Sequence, residues 1–303
     1  MRPTTTVSDD TPDAVGTHEH VAPEARRSDF RPEIQALRAV AVTAVVLYHL
    51  WPGRVPGGFT GVDVFFVISG FLITRHLTQE VRRSGRISLS QFWARRIRRL
   101  LPAAFLVLAF CLVVLFAAMP PVTWQLNLEE IRASAAYVVN WLLGFQAIDY
   151  LAAENNPSMV QHYWSLAVEE QFYLGWPLLI MAAVALGRRR ATAAVRMRRI
   201  RVVLGTVFVV SLAMSVLLTP RKPPLAFYAT PLRAWQFAAG GLLALFLVEG
   251  YRRLTPAVRV GLSWAGWGIL AGSALLIQGT KVQFPGWIAI IPATSWPSCR
   301  NTV

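Results

Sequence analysis

Eight mainly apolar stretches divide this chain, at 34–51, 58–77, 100–119, 131–149, 171–187, 202–219, 234–249 and 262–278. Each approaches the roughly 20 residues that an α-helix needs to cross hydrocarbon, where every backbone N–H and C=O must be satisfied inside the segment. The pattern therefore predicts an all-α fold, a polytopic transmembrane helix bundle of about eight apolar segments with a partial ninth at 284–292. Only 15% of the 303 residues are charged and 54% are hydrophobic, which excludes an ordinary soluble domain. The formal charge of +14 does not imply nucleic acid, because the arginines gather in short runs between apolar segments, as in cytoplasmic loops of membrane proteins.

Those runs set an expected orientation. Residues 78–99 carry Arg82, Arg83, Arg86, Arg95, Arg96, Arg98 and Arg99 and read as a cytoplasmic loop, which puts the N-terminus in the cytoplasm of a plasma-membrane protein. The basic run 188–199 must also be inside, yet parity would expel it if 131–149 and 171–187 both crossed. The weaker segment is 131–149, with Arg132, Asn140, Gln146 and Asp149, so it is expected to be re-entrant or interfacial, with 150–170 facing outward. Residues 1–29 hold almost no large apolar side chain and read as a disordered cytoplasmic tail without signal-peptide features.

The segment from Phe30 to Leu77 places ionisable residues where hydrocarbon is expected: Arg38 and His49 in its first half and Asp63 at the start of its second. Eleven helical residues advance three turns plus about 20°, so Arg38 and His49 share one stripe about 16 Å apart and can line one cavity. Charges at bilayer depth usually face a bundle interior or a watery path. The competing reading has Arg38 snorkelling to the headgroups and His49 at the opposite interface. Asp63 near a helix start fits a capping role as well as a catalytic one.

Arg38, ten intervening residues and His49, followed by GGFTGVDVFFVISGFLIT, resembles the signature of the membrane-bound acyltransferase family 3, O-acetyltransferases of bacterial surface polysaccharides. FWARRIRRLLPA at 92–103, HYWSLAVEEQFYLGWPLL at 162–179 and FYATPLRAWQFAAGGLLAL at 227–245 follow in the family's order, so the acyltransferase domain is expected over 30–292. The resemblance implies transfer of an acetyl group from acetyl-CoA to a hydroxyl of a cell-envelope or secreted glycan, with the lipid bilayer as surroundings and no nucleic-acid partner. A separate extracytoplasmic transferase domain or protein is a further implied partner.

On that resemblance His49 is the candidate base or acyl carrier, since an unperturbed imidazole titrates near neutral pH. Arg38 is the candidate for orienting the donor or stabilising its thioester oxygen, and Asp63 for fixing the His49 tautomer. Within HYWSLAVEEQFY, His162 and Glu169 share a helical face with Ser165 between them, while Glu170 is turned about 100° away. The residues alone fit an interfacial helix with an aromatic belt. The family adds Glu169 as a catalytic or acceptor-polarising group and His162, Trp164, Ser165 and Arg233 as substrate-binding candidates. Arg95, Arg96, Arg98 and Arg99 read as a positive-inside anchor, and beside the bundle mouth they can also hold coenzyme A phosphates. No metal-ligand spacing is present, so no metal is expected.

Two rival readings remain. A transporter would use buried Arg, His and Asp as a substrate or proton path, although no convincing internal repeat is visible. An inactive, truncated copy of the enzyme is the other, because residues 293–303 (ATSWPSCRNTV) form an atypical tail where family members usually carry further spans.

Overall fold

The computed structural model describes residues 32–147, 158–185, 192–250, 255–278 and 284–294, with side chains described to Phe246 in the third stretch. The expectations for 1–29 and for the tail beyond Thr294 lie outside the described residues. The fold is all-α, without strands among the described residues. Its helices are α1 (Pro32–Leu50), α2 (Gly61–Ser84), α3 (Leu89–Ala118), α4 (Trp124–Ala135), α5 (Val139–Gln146), α6 (Tyr163–Ala185), α7 (Ala193–Leu218), α8 (Pro223–Tyr228), α9 (Thr230–Gly250), α10 (Pro256–Leu276) and α11 (Ile290–Ala293). By length and composition α1, α3, α7 and α2 with its preceding turn can cross a membrane.

Local chemistry sets the boundaries. Gly85, at φ 71°, closes α2 in the left-handed conformation that a helix C-terminus favours. Pro120 and Pro121 follow the end of α3 and cannot continue it. Thr192 and Thr255 cap α7 and α10 by accepting from the backbone N–H of Val195 and Val258.

The segment 131–149 does not form one helix. It breaks between α4 and α5 at Tyr137, whose φ of 54° is a left-handed conformation unusual for a bulky residue. Twelve and eight residues extend only about 18 and 12 Å, too short for a crossing. Two other boundaries differ from expectation. Arg95–Arg99 stand on the first turns of α3 and not in a loop, and the HYWSLAVEEQFY block is the opening half of α6, continuous with the apolar half to Ala185. In both places the helix runs on from the polar stretch into the apolar one and through an internal proline, Pro102 in α3 and Pro177 in α6, helix formation being cooperative once begun.

α2 is the centre of the bundle. In its most apolar window 72% of residues are buried, against 17–22% in α1, α3 and α7, whose outward residues such as Leu106, Phe110 and Val209 suit lipid. Glycines let neighbouring helices reach it. A Cβ at Gly70 would lie 2.1 Å from the Phe237 carbonyl oxygen, and one at Gly240 would lie 1.9 Å from that of Val67, so α2 and α9 meet backbone to backbone. Gly58 and Gly61 bring the start of α2 equally close to the Ala44 and Ala41 carbonyls of α1. The C-terminus of α1 and the N-termini of α2, α6 and α9 thereby gather at one end of the bundle.

Candidate active site

At that end lies a pocket of about 520 Å³. Tyr48 and His49 reach it from α1, His162, Trp164 and Ser165 from the start of α6, and Tyr228 from the end of α8. Four candidates that the sequence offered separately, His49, His162, Trp164 and Ser165, are brought together here. His49 Nδ1 lies 2.8 Å from the Val45 carbonyl oxygen, one turn back on α1. A carbonyl only accepts, so Nδ1 carries a proton, and in the neutral ring it is Nε2 that keeps the lone pair. Desolvation, followed by the nearby His49, pushes the pKa of His162 below the ordinary imidazole value and favours its neutral form.

Arg233 and Asp63 stand behind the pocket wall. Arg233 Nη1 donates to Asp63 Oδ1 at 2.8 Å, with both side chains at most 2% exposed. Gln236 Nε2 donates to the same oxygen, and Arg233 Nε donates to the Phe227 carbonyl at 2.8 Å. The guanidinium lies under the rings of Phe227, Trp164 and Phe284, at 4.8, 5.6 and 5.6 Å from their centroids. Those rings line the pocket. Asp63 thus orients Arg233 and not His49, and Arg233 braces the aromatic wall. It does not line the pocket.

Glu169 also lies outside the pocket lining. Its Oε1 accepts from Ser69 Oγ on α2 and from Tyr173 OH one turn along α6. Arg96 alone of the α3 arginine row turns inward, with Cζ 4.1 Å above the Tyr173 ring. Arg95, Arg98 and Arg99 are exposed; Arg95 Nη2 is 3.1 Å from His76 Nε2, and Arg98 Nε donates to the Ala94 carbonyl. Tyr173 is eleven residues beyond His162, about 16 Å along a helix, so the arginine row stands off the pocket by about half the length of α6. Arg38, half-buried on α1, does not line the pocket, and the structure does not bring it together with His49.

The model of the acyltransferase 3 family, described as an acyltransferase domain, matches residues 31–298. The chain belongs to the acyltransferase 3 family. It is 36% identical over 230 residues to the peptidoglycan O-acetyltransferase OatA of Listeria monocytogenes, covering 76% of this chain and 36% of that protein. It is 42% identical over 151 residues to the O-acetyltransferase OatA of Staphylococcus aureus, covering 50% of this chain and 25% of that one. The chain therefore spans about a third or less of the length of these curated relatives. No solved structure matches.

Within this acyltransferase 3 domain, several site residues were missed from sequence. Ser69 and Tyr173 looked like ordinary members of FFVISGFL and EEQFY, and their signal was a hydroxyl inside an otherwise apolar run. Gln236, Gln161 and Tyr228 gave no signal, since their partners are remote in sequence. Among the described residues no three His, Cys, Asp or Glu side chains gather as a metal site. Chemically, the arrangement offers an imidazole base with a fixed tautomer, a second neutral imidazole and an aromatic enclosure at one end, with guanidinium groups standing off it.

Proposed function

We propose that this chain moves an acetyl group from acetyl-CoA, engaged at the arginine end, to a hydroxyl of a cell-envelope glycan at the pocket end, peptidoglycan being the acceptor favoured by the relatives' names. The arginine end faces the cytoplasm, as the concentration of basic residues there requires, and the protein resides in the plasma membrane. The observation that carries this reading is the His49 Nδ1 contact with the Val45 carbonyl, because it leaves Nε2 of a pocket-lining histidine as the nitrogen that can act as a base.

In the transfer, His49 Nε2 takes the hydroxyl proton as the oxygen attacks the acyl carbon. The C–S bond breaks, the coenzyme A thiolate leaves, and the proton held on His49 passes to it, restoring the neutral imidazole. A positioned base of this kind is worth about 10²–10⁴-fold in rate. Arg95, Arg98 and Arg99 supply charge for the donor's phosphates, and Arg38, off the pocket, orients the donor on its way to it. Glu169, tied to Ser69 and Tyr173, holds α2 and α6 in register beneath the pocket and faces the donor side. His162, Trp164 and Ser165 hold the acceptor, and Asp63 and Arg233 fix the wall against which it rests.

The test is the ester-linked acetate content of peptidoglycan from a bacterial host lacking its own O-acetyltransferase, expressing this chain or its His49→Ala variant. Acetylation above the empty-vector level that disappears in the variant supports the proposal. Equal acetate in both strains removes the catalytic claim.

A further inference from the structure

Four features of the pocket wall bear on what it can hold. Tyr228 ends α8, and its carbonyl accepts from Asn140 Nδ2 at 3.1 Å, which ties the ring's base to α5. Its ring stands edge-on to Trp164, with centroids 5.4 Å apart and planes at 88°. Gln161 Nε2 donates to the Tyr228 hydroxyl oxygen at 3.4 Å. Tyr48 packs edge-on against Phe59 at 5.5 Å and beside His49 at 5.4 Å.

The hydrogen-bond inventory of Gln161 and Tyr228 is specific. With the Gln161 amide donating to the phenol oxygen, the Tyr228 O–H proton remains to donate and Gln161 Oε1 remains to accept. Burial pushes the Tyr228 pKa up, so the phenol stays protonated through the physiological range. Ser165 Oγ already donates to the His162 carbonyl at 3.3 Å and adds only acceptor capacity. One donor beside one acceptor complements two adjacent ring substituents, such as vicinal hydroxyls or a hydroxyl next to an acylamino group. The aromatic surfaces of Tyr48 and Trp164 suit the C–H face of a sugar ring, and the pocket volume lies in the usual range for small-ligand sites.

We infer that Gln161 and Tyr228 form a specificity fork of an acceptor subsite for a pyranose ring, gripping two neighbouring substituents so that one chosen hydroxyl faces His49. This deepens the proposed function and rests on it for the identity of the reaction, but the binding of sugar by the fork is separable from catalysis. The two residues act by positioning. Their loss weakens sugar binding and loosens the choice of hydroxyl, whereas loss of His49 abolishes transfer with binding retained.

The experiment uses the full chain in detergent micelles, with chitotriose and maltotriose as probes and no acyl donor present. Binding is followed by ligand-observed NMR and by the fluorescence change of Trp164, with Trp164→Phe as the assignment control. The expected result is saturable binding of at least one trisaccharide, weakened roughly threefold to tenfold by Tyr228→Phe and by Gln161→Ala, each of which removes one net hydrogen bond. Tyr228→Phe keeps the ring and so keeps the wall folded. Wild-type protein that binds neither trisaccharide overturns the subsite, and so do variants that bind as tightly as wild type. Sugar binding with the expected losses, but without acetyl transfer when acetyl-CoA is added, leaves the subsite standing and sinks the proposed function instead.

Discussion

Arg233 and Asp63 lie 170 residues apart in sequence and 2.8 Å apart in space, joining the first turn of α9 to the first turn of α2 at a depth where neither side chain exceeds 2% exposure. Their mutual neutralisation makes a buried charge tolerable beside the pocket. Removing one partner strands the other, a change that costs about 3–5 kcal/mol in buried pairs, whereas replacing both by apolar residues is often neutral. Arg233→Met or Asp63→Leu alone is therefore expected to lower the melting temperature in detergent sharply, and the double variant to recover much of the loss. Equal melting of single and double variants would show that the pair is not coupled.

The α2–α9 seam depends on the absence of two side chains. A methyl group at Gly70 or Gly240 would sit about 2 Å from a facing carbonyl oxygen, and backbone has no rotamer by which to yield. Gly70→Ala and Gly240→Ala are expected to cost at least the ~1–3 kcal/mol of an overpacked core and to reduce folded protein in the membrane. Gly205→Ala, where nothing lies within 4 Å, is the matched control and should be neutral or slightly stabilising. Size-exclusion profiles of the solubilised variants distinguish the two groups.

Acid should act on His162. Its folded-state pKa lies below the ordinary value, so between the two the unfolded chain binds more protons and stability rises with pH. The contribution of the neutral imidazole is complete above about pH 6.5, the unperturbed value, and is lost as pH falls through the lower folded-state pKa. Melting temperatures from pH 7.5 to 5 should fall less steeply for His162→Gln than for wild type. Parallel curves would remove His162 as a contributor.

Arg96 and its neighbours are expected to separate functionally. Arg96 stacks on Tyr173 beside the Glu169 contacts, while Arg95, Arg98 and Arg99 face outward. Arg96→Lys keeps the charge but loses the planar stacking surface. It should lower transfer rates more than Arg98→Lys or Arg99→Lys, which, if the proposed donor acetyl-CoA is used, should chiefly raise its KM at high salt. Steady-state kinetics with the donor titrated at two ionic strengths reads this directly.

The apolar helical regions were legible before any fold was known, because length and apolarity are properties of each run by itself. The parity of the arginine runs marked 131–149 as a segment expected not to cross, but nothing in the sequence marked the break at Tyr137, since no local breaker stands there. The topology expected from the arginine runs put His162 on the side of His49, and the family pattern named Trp164 and Ser165; that the four line one pocket was visible only in the structure. Arg38 was grouped with His49 by helical spacing alone. That spacing put both on one stripe of α1, but only its last turns, at Val45, Tyr48 and His49, line the pocket.

By itself the sequence determined that the chain is a helical membrane protein of a recognisable acyltransferase pattern, because segment length and apolarity are local properties that the bilayer enforces one helix at a time. Only the tertiary structure decided that Asp63 answers Arg233 instead of His49, that Arg96 alone of its row turns inward, and that Gln161 meets Tyr228. Lipid is as apolar as a leucine core, so hydrophobicity cannot fix how each helix is rotated about its axis. That choice fell to close backbone approaches at Gly70 and Gly240 and to buried polar groups finding partners across the bundle.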